Sequence, residues 1–416
     1  MTAAAQQHGG NAVSTGPLQG VRIIDMTTVL MGPYATQILG DLGADVIKVE
    51  PPTGDTVRDV GPRRNDGMAG IFLHVNRSKR SIVLDLKKPA GREALLRLAA
   101  DADVLIYNVR PQAMARLNLG YEEIAKVNPR ILYVGVYGYG QGGPYAAKSA
   151  YDDLIQGAVA IPSLARSAGA DVPRYAPSAI ADRIVALAAA NAVTAGLFHR
   201  ERTGAGQAID VPMFETMAQF VLGDHMGGLT FDPPIGPSGY ARILDHNRRP
   251  YRTRDGYVCV LVYNDKQWRK FFEMIGKPGL MDNDPRFATI GERTRHIDEL
   301  YRMVAEVMPT RTSAEWIALL EAADMPVMQL HTIDTLLADP HLDAVRFFEV
   351  VEHPTEGAIR SMAIPSQWSK SQPQVSRQAP RLGEHSAEVL AEAGYSADDI
   401  RKLAQEGATV LASAAQ

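Results

Sequence analysis

The chain contains a single cysteine among its 416 residues, and this scarcity excludes one class of architecture. One thiol cannot form an internal disulfide, so the fold must be stabilised by its core, as is usual in the reducing cytoplasm. Cys259 lies in the apolar run YVCVLV, which predicts a buried strand and an inert thiol. We therefore expect a cytoplasmic protein without a disulfide framework.

Other absences narrow the class of protein further. No apolar run reaches the length of a membrane span, and the N-terminus lacks the basic and apolar regions of a secretory signal. With 43 basic and 47 acidic residues, the net charge of −4 offers no general attraction to nucleic acid or to an anionic membrane. We expect neither as a partner, and residues 1–17 are predicted to form a disordered tail.

Several catalytic signatures are also missing. There is no His-Glu-x-x-His, no cysteine pair and no other metal-ligand spacing, so no metal site is predicted. The absence of Gly-x-Ser-x-Gly argues against a serine hydrolase of the α/β type. No Gly-x-Gly-x-x-Gly follows the first strand, which argues against a plain dinucleotide site. The glycine-rich segment 138–144 lacks the Lys-Ser/Thr of a phosphate loop, so we interpret it as a turn.

Strand and helix patterns alternate through the first half of the chain. Short apolar runs predict strands at 21–25, 46–50, 81–86, 104–109, 131–140 and 208–211. Such alternation is typical of an open, parallel α/β sheet, in which ligands bind beyond the carboxyl ends of the strands. The segments expected at those ends are 28–33, 51–55, 108–116 and 137–144.

The length of the chain favours two domains. Residues 18–224 and 341–416 are predicted to form a large domain. Near residue 225 the composition changes to Gly, Pro and Asp, and a hairpin around Asp255-Gly256 and three helices follow. We expect residues 225–340 to form a smaller α+β domain.

One carboxylate stands at the start of the most apolar segment. Asp182 precedes residues 184–197, which carry no charge and are typical of a helix buried on most sides. The ordinary interpretation is a helix cap, because a carboxylate accepts hydrogen bonds from free N–H groups of the first turn. The alternative is a nucleophile that the helix dipole keeps ionised. This segment alone favours the cap.

Two further groups of charged residues are candidates for a site. Asp152 follows Tyr151 after the glycine-rich turn, and if it faced Asp182, each carboxylate would affect the pKa of the other. Basic residues also recur near strand ends, which favours an anionic ligand with several phosphates, although each one alone is typical of a solvated surface. They are Arg77, Lys79, Arg80, Lys87, Lys88, Arg110 and Arg116.

Eight segments, taken in order, resemble the class III CoA-transferase family, which includes formyl-CoA, carnitine-CoA and dicarboxylate-CoA transferases and the related α-methylacyl-CoA racemases. The resemblance extends from about Leu18 to Gly407. The segments are GVRIIDMTTVLMGPYATQILGDLGADVIKVEPPTGD, NRSKRSIVLDLK, NVRPQAMARLNLGYE, GYGQGGPY, AYDDLIQG, ADRIVAL, RTGAGQAIDVPMFE and PRLGEHSAEVL.

The resemblance implies both a fold and an activity. The fold would be a Rossmann-like large domain and a smaller domain, with terminal segments that close the chain into a ring, and two rings would interlock as a homodimer. The activity would be transfer of CoA from an acyl-CoA donor to a small carboxylic acid. It would proceed through an aspartyl anhydride and an aspartyl-CoA thioester on Asp182. No cofactor is implied beyond coenzyme A, which is a substrate.

The resemblance also implies individual site residues. Positions similar to the family's CoA site are Val29, Leu30, Met31, Leu84, Lys87, Asn108, Arg110 and Arg116. Pro51 occupies a position that is often basic in the formyl-CoA branch, so one phosphate contact of that branch is missing. We assign Tyr139, Tyr151 and Asp152 to the substrate site.

Two alternatives stay open. An α-methylacyl-CoA racemase needs a base before the first acid, where the racemases carry His and this chain carries Tyr151, a poor base near neutral pH. A CoA- or nucleotide-binding protein without catalysis would have no use for Asp182. The exchanged acids are not specified, although Arg174, Arg248 or Arg249 would suit a dicarboxylate if they lay near the pocket.

Overall fold

The computed structural model describes residues 16–412, so of the predicted tail, 1–17, only the last two residues are described. The strands are β1 (Arg22–Met26), β2 (Asp45–Glu50), β3 (Lys79–Val83), β4 (Val104–Tyr107), β5 (Leu132–Tyr137), β6 (Gln207–Pro212), β7 (Tyr251–Arg252), β8 (Tyr257–Val260), β9 (Val327–Gln329), β10 (Phe348–His353) and β11 (Gly357–Met362).

The α-helices are α1 (Met31–Asp41), α2 (Gly70–Asn76), α3 (Pro89–Ala100), α4 (Pro111–Arg116), α5 (Tyr121–Val127), α6 (Asp152–Ala158), α7 (Ile161–Ser167), α8 (Ile180–Thr203), α9 (Met213–His225), α10 (Ala241–Leu244), α11 (Asp265–Met274), α12 (Leu280–Asn283), α13 (Ile290–Arg295), α14 (Ile297–Val307), α15 (Ser313–Ala322), α16 (Ile333–Leu337), α17 (Pro340–Ala344), α18 (Ser386–Glu392) and α19 (Ala397–Gln405). Short 3₁₀ helices cover Thr56–Asp59, Gly227–Thr230 and Met308–Thr310.

The chain divides into two compact units. The first comprises the described residues up to Ile155, Ser178–Met217 and those from Leu342 onward; the second comprises Gln156–Pro177 and Ala218–His341. The predicted boundaries differ from this division, since they placed 156–177, 218–224 and residue 341 in the large domain. Residues 156–177 belong to the second unit, where α7 packs against α10.

The first unit is built on a six-stranded sheet in the order β3-β2-β1-β4-β5-β6. Every neighbouring pair is parallel, so the predicted open α/β sheet is confirmed. The chain moves outward from β1 in one direction and then, from β4, in the other. The adjacent carboxyl ends of β1 and β4 therefore form a topological switch point, where open α/β sheets bind their ligands.

One face of this sheet packs against helices from both ends of the chain. Alternate strand residues such as Ile24, Ile47 and Leu105 enter a buried cluster with residues of α3 and α5. The C-terminal helices contribute Leu390 and Leu403 to the same cluster. The sheet core is therefore completed only by the last described helices.

Helix α8 packs against α1, β5 and β6. Its length and composition would allow it to cross a membrane, contrary to the expectation that no segment reaches that length. The core helix of a globular protein can have the same length and apolar composition. In α8, 44% of the most apolar window is buried inside the protein. The charge-free run within α8 is thus explained at least in part by packing, through residues such as Val185 and Val193.

The second unit has a three-stranded antiparallel sheet, β7-β8-β9, and a separate core around Trp268 and Trp316. The predicted hairpin with its turn at Asp255-Gly256 is confirmed by the pairing of β7 with β8. Cys259 was predicted to be buried, but it is partly exposed in β8. Outside this unit, β10 and β11 form a further antiparallel pair.

Three basic residues that suggested an anionic ligand are engaged inside the first unit instead. A terminal nitrogen of Arg77 lies 2.8 Å from a carboxylate oxygen of Asp41, and Lys79 Nζ lies 3.1 Å from Asp25 Oδ2. The guanidinium of Arg80 pairs with Asp45 and with two glutamates of α18. Because these partners neutralise Lys79 and Arg80, strand β3 begins at Lys79 rather than at the predicted residue 81.

Candidate active site

A cavity of about 410 Å³ opens at the carboxyl ends of β1, β4 and β5, at the switch point of the sheet. Three of the four predicted strand-end segments contribute to it; 51–55 does not. Its lining residues are Thr28, Val29, Leu30, Met31, Asn108, Val109, Arg110, Ala113, Tyr137, Gly138, Lys148, Ser149, Ala150, Tyr151, Asp182 and Met213.

Asp182 is the carboxylate that lines this cavity, and it is not a helix cap. It is the third residue of α8, whose N-cap residue, Ala179, makes no side-chain capping bond. The capping acceptor is Asp152, because the Asp182 backbone N–H donates to Asp152 Oδ1 at 3.0 Å. The ordinary interpretation of Asp182 is therefore wrong, and its neighbour Asp152 supplies the cap.

The surroundings of Asp182 favour its neutral form. Burial, together with the negative charge of Asp152, raises the pKa of Asp182 to about 6, although the Arg183 guanidinium acts in the opposite direction. The helix dipole was expected to keep this carboxylate ionised, but desolvation and the like charge of Asp152 raise its pKa above the ordinary value. Asp182 is still mostly ionised at pH 7, and an anion less well solvated than a surface carboxylate is a more reactive nucleophile.

The loop between β1 and α1 is held in an unusual conformation. Val29 has a φ of 70°, a left-handed geometry that is rare for a β-branched residue. Its N–H donates to Asp55 Oδ1 at 3.0 Å. Asn108 fixes the preceding residue, accepting from the Thr28 N–H at 3.0 Å and donating to the Thr28 carbonyl at 2.8 Å. Backbone strain of this kind concentrates at ligand sites, where surrounding contacts hold it in place.

Buried ion pairs lie beneath the same loop. Lys48 Nζ lies 2.9 Å from both Asp55 Oδ2 and the Thr27 carbonyl oxygen, with no side-chain exposure at Lys48 or Asp55. Although burial alone would raise the pKa of Asp25, the ammonium groups of Lys79 and Lys48 and two threonine hydroxyls lower it to about 2. These ionised groups connect β1, β2 and β3 to the loop that carries Val29.

Glycine is required where β5 enters the cavity. A Cβ atom on Gly138 would lie 2.2 Å from the Ala150 Cβ, so a side chain there would displace the segment that leads to Tyr151. The Gly140 N–H donates to Glu215 Oε1 at 2.9 Å. The glycine-rich segment therefore has a packing role, in keeping with its interpretation as a turn.

Two cations lie at the cavity. Arg110 is exposed, and one of its terminal nitrogens donates to the Ala147 carbonyl at 3.1 Å. Lys148, which the sequence analysis missed, lies with Nζ 3.8 Å from the centre of the Tyr145 ring. The only feature of the sequence that could have indicated Lys148 is its position four residues before Asp152, and this spacing is a weak signal. Both cations can approach a phosphate without giving up a carboxylate partner.

The remaining predicted residues separate into two groups. Those that line the cavity are Val29, Leu30, Met31, Asn108, Arg110, Tyr151 and Asp182, and Asp152 contacts it through Asp182. Those that do not are Leu84, Lys87, Arg116 and Tyr139. Leu84 belongs to the buried core, Lys87 and Arg116 are exposed outside the cavity, and Tyr139 is buried 5.5 Å from Tyr145 and 5.7 Å from Phe214 between ring centres.

Comparison with known proteins identifies the family. A family model described as CoA-transferase family III matches residues 18–386, nearly the whole described chain. The chain belongs to this family. The membership expected from the sequence is therefore confirmed, and with it an enzyme of the class III CoA-transferase type.

Named relatives and a solved structure are similar over most of their lengths. A succinate–glutarate CoA-transferase from Agrobacterium fabrum is 33% identical over 90% of this chain and 95% of its own. An acetyl-CoA:oxalate CoA-transferase from Acetobacter aceti is 35% identical over 75% of this chain and 80% of its own. A CaiB/BaiF family protein from Brucella suis superposes with a TM-score of 0.76 at 31% identity, covering 91% of this chain and 99% of its own.

Proposed function

We propose that this class III CoA-transferase moves CoA from an acyl-CoA donor to a carboxylic acid acceptor through covalent intermediates on Asp182. The observation that carries the proposal is the position of Asp182, a partly desolvated carboxylate in the switch-point cavity with cations at the same opening. We assign CoA phosphate contacts to Arg110 and Lys148, and contacts with the rest of CoA to Val29–Met31 and Asn108.

The first half of the reaction frees the donor acid. A carboxylate oxygen of Asp182 attacks the thioester carbonyl carbon, the C–S bond breaks, and CoA leaves as a thiolate. The product on the enzyme is a mixed anhydride. The thiolate then attacks the Asp182 acyl carbon, and the donor acid departs as a carboxylate. An aspartyl-CoA thioester remains, and no net proton is transferred.

The second half repeats these steps with the acceptor. The acceptor carboxylate attacks the aspartyl thioester carbon, giving a new mixed anhydride and CoA thiolate. The thiolate attacks the acceptor acyl carbon, which produces the new acyl-CoA and regenerates the Asp182 carboxylate. The relay divides one difficult exchange into easier acyl transfers. Asp152 keeps the first turn of α8 in place by accepting the Asp182 N–H.

We further propose short dicarboxylic acids as the exchanged substrates. Relatives in the comparison are named for succinate with glutarate and for oxalate, all of which are small diacids. A matrix of succinyl-CoA and acetyl-CoA donors against small mono- and dicarboxylic acids, analysed by mass spectrometry, tests this class. Transfer to monocarboxylates alone would contradict it without affecting the role of Asp182.

The role of Asp182 is tested by Asp182→Ala. We expect kcat to fall at least about a thousandfold because the covalent relay is lost, while acyl-CoA still binds. Asp153→Ala is the matched control, since Asp153 is an exposed neighbouring carboxylate that does not line the cavity. Wild-type enzyme incubated with acyl-CoA and hydroxylamine should be inactivated, with modification on the peptide that contains Asp182. Full activity of the alanine variant would exclude the mechanism.

One observation favours the racemase as a second candidate. A carboxylate with a pKa of about 6 is also well suited to general base catalysis at neutral pH. The two reactions are distinguished by deuterium uptake from heavy water into a chiral 2-methylacyl-CoA. We expect no uptake by the wild type and only a modest loss of transfer in Tyr151→Phe. Rapid uptake that depends on Tyr151 or Asp152 would favour the racemase.

We also propose, from the family resemblance, that two chains interlock as rings in a homodimer. From the single cysteine we propose that the enzyme is cytoplasmic.

A further inference from the structure

The second unit has a cavity of its own, of about 460 Å³, beside strands β7, β8 and β9. Three arginines line it, and no acidic residue does. The full set of lining residues is Arg242, Arg248, Arg249, Pro250, Tyr251, Cys259, Val260, Leu261, Tyr301, Pro326, Val327 and Met328.

The three guanidinium groups have no carboxylate partner within the part of the chain that the structure describes. Arg242 Nε donates to the hydroxyl of buried Tyr301 at 2.8 Å, which holds it at the cavity. Arg248 and Arg249 are exposed and form no ion pair among residues 16–412. Asp245, the acid closest in sequence, accepts the Asn247 N–H through Oδ1 at 2.8 Å.

The floor of the cavity is apolar. Tyr251 is 4% exposed and Val327 is 9% exposed, whereas Arg242 is partly exposed and Arg248 and Arg249 are exposed. Burial, the Tyr301 hydroxyl and the negative charge of Asp245 raise the pKa of Tyr251, whereas the charges of Arg249 and Arg248 act in the opposite direction, so both guanidinium groups lie close enough to act on the Tyr251 hydroxyl. Three cations around one apolar cavity repel one another, and a bound anion would remove that repulsion.

We propose that this cavity binds a small organic dianion. Carboxylate and phosphate groups both match the planar, bidentate geometry of guanidinium, and a short apolar body would lie on Val260 and Leu261. The assignment concerns binding in the second unit alone. It is independent of the chemistry proposed for Asp182 and is tested without acyl-CoA.

Cys259 makes occupancy of the cavity measurable. It is the only thiol of the chain, it lines the cavity, and it is partly exposed. A neutral alkylating reagent such as iodoacetamide therefore modifies a single site, and a bound ligand should slow the modification. The probes are glutarate for the carboxylate source and pyrophosphate for the phosphate source. Glutaramide is the uncharged control.

We expect at least one dianion to slow alkylation of Cys259 about tenfold at ten times its Kd, and glutaramide to have no effect. Protection by glutarate alone assigns the site to carboxylates, and protection by pyrophosphate alone assigns it to phosphates. The double variant Arg248→Ala/Arg249→Ala should bind the protecting anion at least about tenfold more weakly.

Arg254→Ala is the matched control, since Arg254 lies in the same hairpin but pairs with Glu315 and does not line the cavity. It should retain full protection. Unchanged circular dichroism and melting temperature of the double variant exclude loss of folding as the cause. Absence of protection by either dianion, or equal protection in the double variant, would overturn the proposal.

Discussion

Two carboxylates that meet at the start of α8 have different roles because their surroundings differ. Asp182 is partly buried and lines the cavity, whereas Asp152 accepts the N–H that begins the helix. The charge of Asp152 is one of the causes that raise the pKa of Asp182 to about 6. The nucleophile must be deprotonated, so transferase activity should be lost as the pH falls through about 6.

Asp152→Asn should shift that loss to lower pH. The amide oxygen can still accept the Asp182 N–H, but the negative charge beside Asp182 disappears. We expect the acidic midpoint of kcat/KM to move down by about one pH unit. The measurement is the pH profile of kcat/KM with a donor whose ionisation does not change over this range.

Arg183→Leu should shift the acidic midpoint of kcat/KM in the opposite direction. The Arg183 guanidinium lowers the pKa of Asp182, and its side chain stacks 4.2 Å from the centre of the Tyr34 ring. Its removal should move the acidic midpoint upward. Shifts of the same sign in both variants would mean that packing, not charge, controls the pKa of Asp182.

The residues around Asp182 favoured a helix cap, and the family resemblance singled out Asp182, Tyr151 and Asp152 as site residues. Asp182 and Tyr151 line one cavity and Asp152 contacts Asp182, while their catalytic roles stay predictions. The sequence was not enough to find the left-handed Val29, because nothing in VLMG distinguishes that backbone from an ordinary turn. Leu84 and Lys87, which the resemblance placed at the CoA site, lie just beyond the end of β3 at Val83. Leu84 belongs to the buried core and Lys87 is exposed, so neither lines the cavity, and their contact with CoA stays a prediction.

At the scale of elements, buried ion pairs connect β1 with β3 and β2 with the segment that follows it. Lys48→Met should leave Asp55 buried without its cation and cost about 3–5 kcal/mol of unfolding free energy. Arg63→Met is the matched control, because Arg63 pairs with Asp59 and Asp66 at the surface and should lose far less. Chemical denaturation measures both. Equal losses of unfolding free energy in the two variants would show that the burial of Lys48 does not matter for stability.

Pro89 in a first turn and the apolar spacing up to Ala100 predict a helix with the bounds that α3 has. Strand β3 was predicted too late because charged residues normally end an apolar strand, and the acids that neutralise Lys79 and Arg80 come from distant segments. Strand β10 was missed for a similar reason. Its residues pair with β11, but most of its side chains are at least partly exposed, and Val350 is 72% exposed.

At the scale of the whole molecule, the proposed interlocked dimer makes a clear prediction. Rings that pass through each other cannot separate unless one chain opens, so dilution should not produce monomer. Sedimentation velocity over a wide concentration range should give one dimeric species. A monomer fraction that grows on dilution would contradict interlocking, although not CoA transfer.

The core beside the sheet contains residues from distant parts of the chain, and this affects folding during synthesis on the ribosome. Ile24 and Leu105 share one buried cluster with Leu390 and Leu403, which a ribosome adds much later. The second unit ends at His341 and is therefore fully translated while one face of the sheet is still uncovered. During that interval the nascent chain offers chaperones an apolar surface. A premature stop codon before α18 would make that exposure permanent, so such a product should aggregate even with every residue of the cavity present.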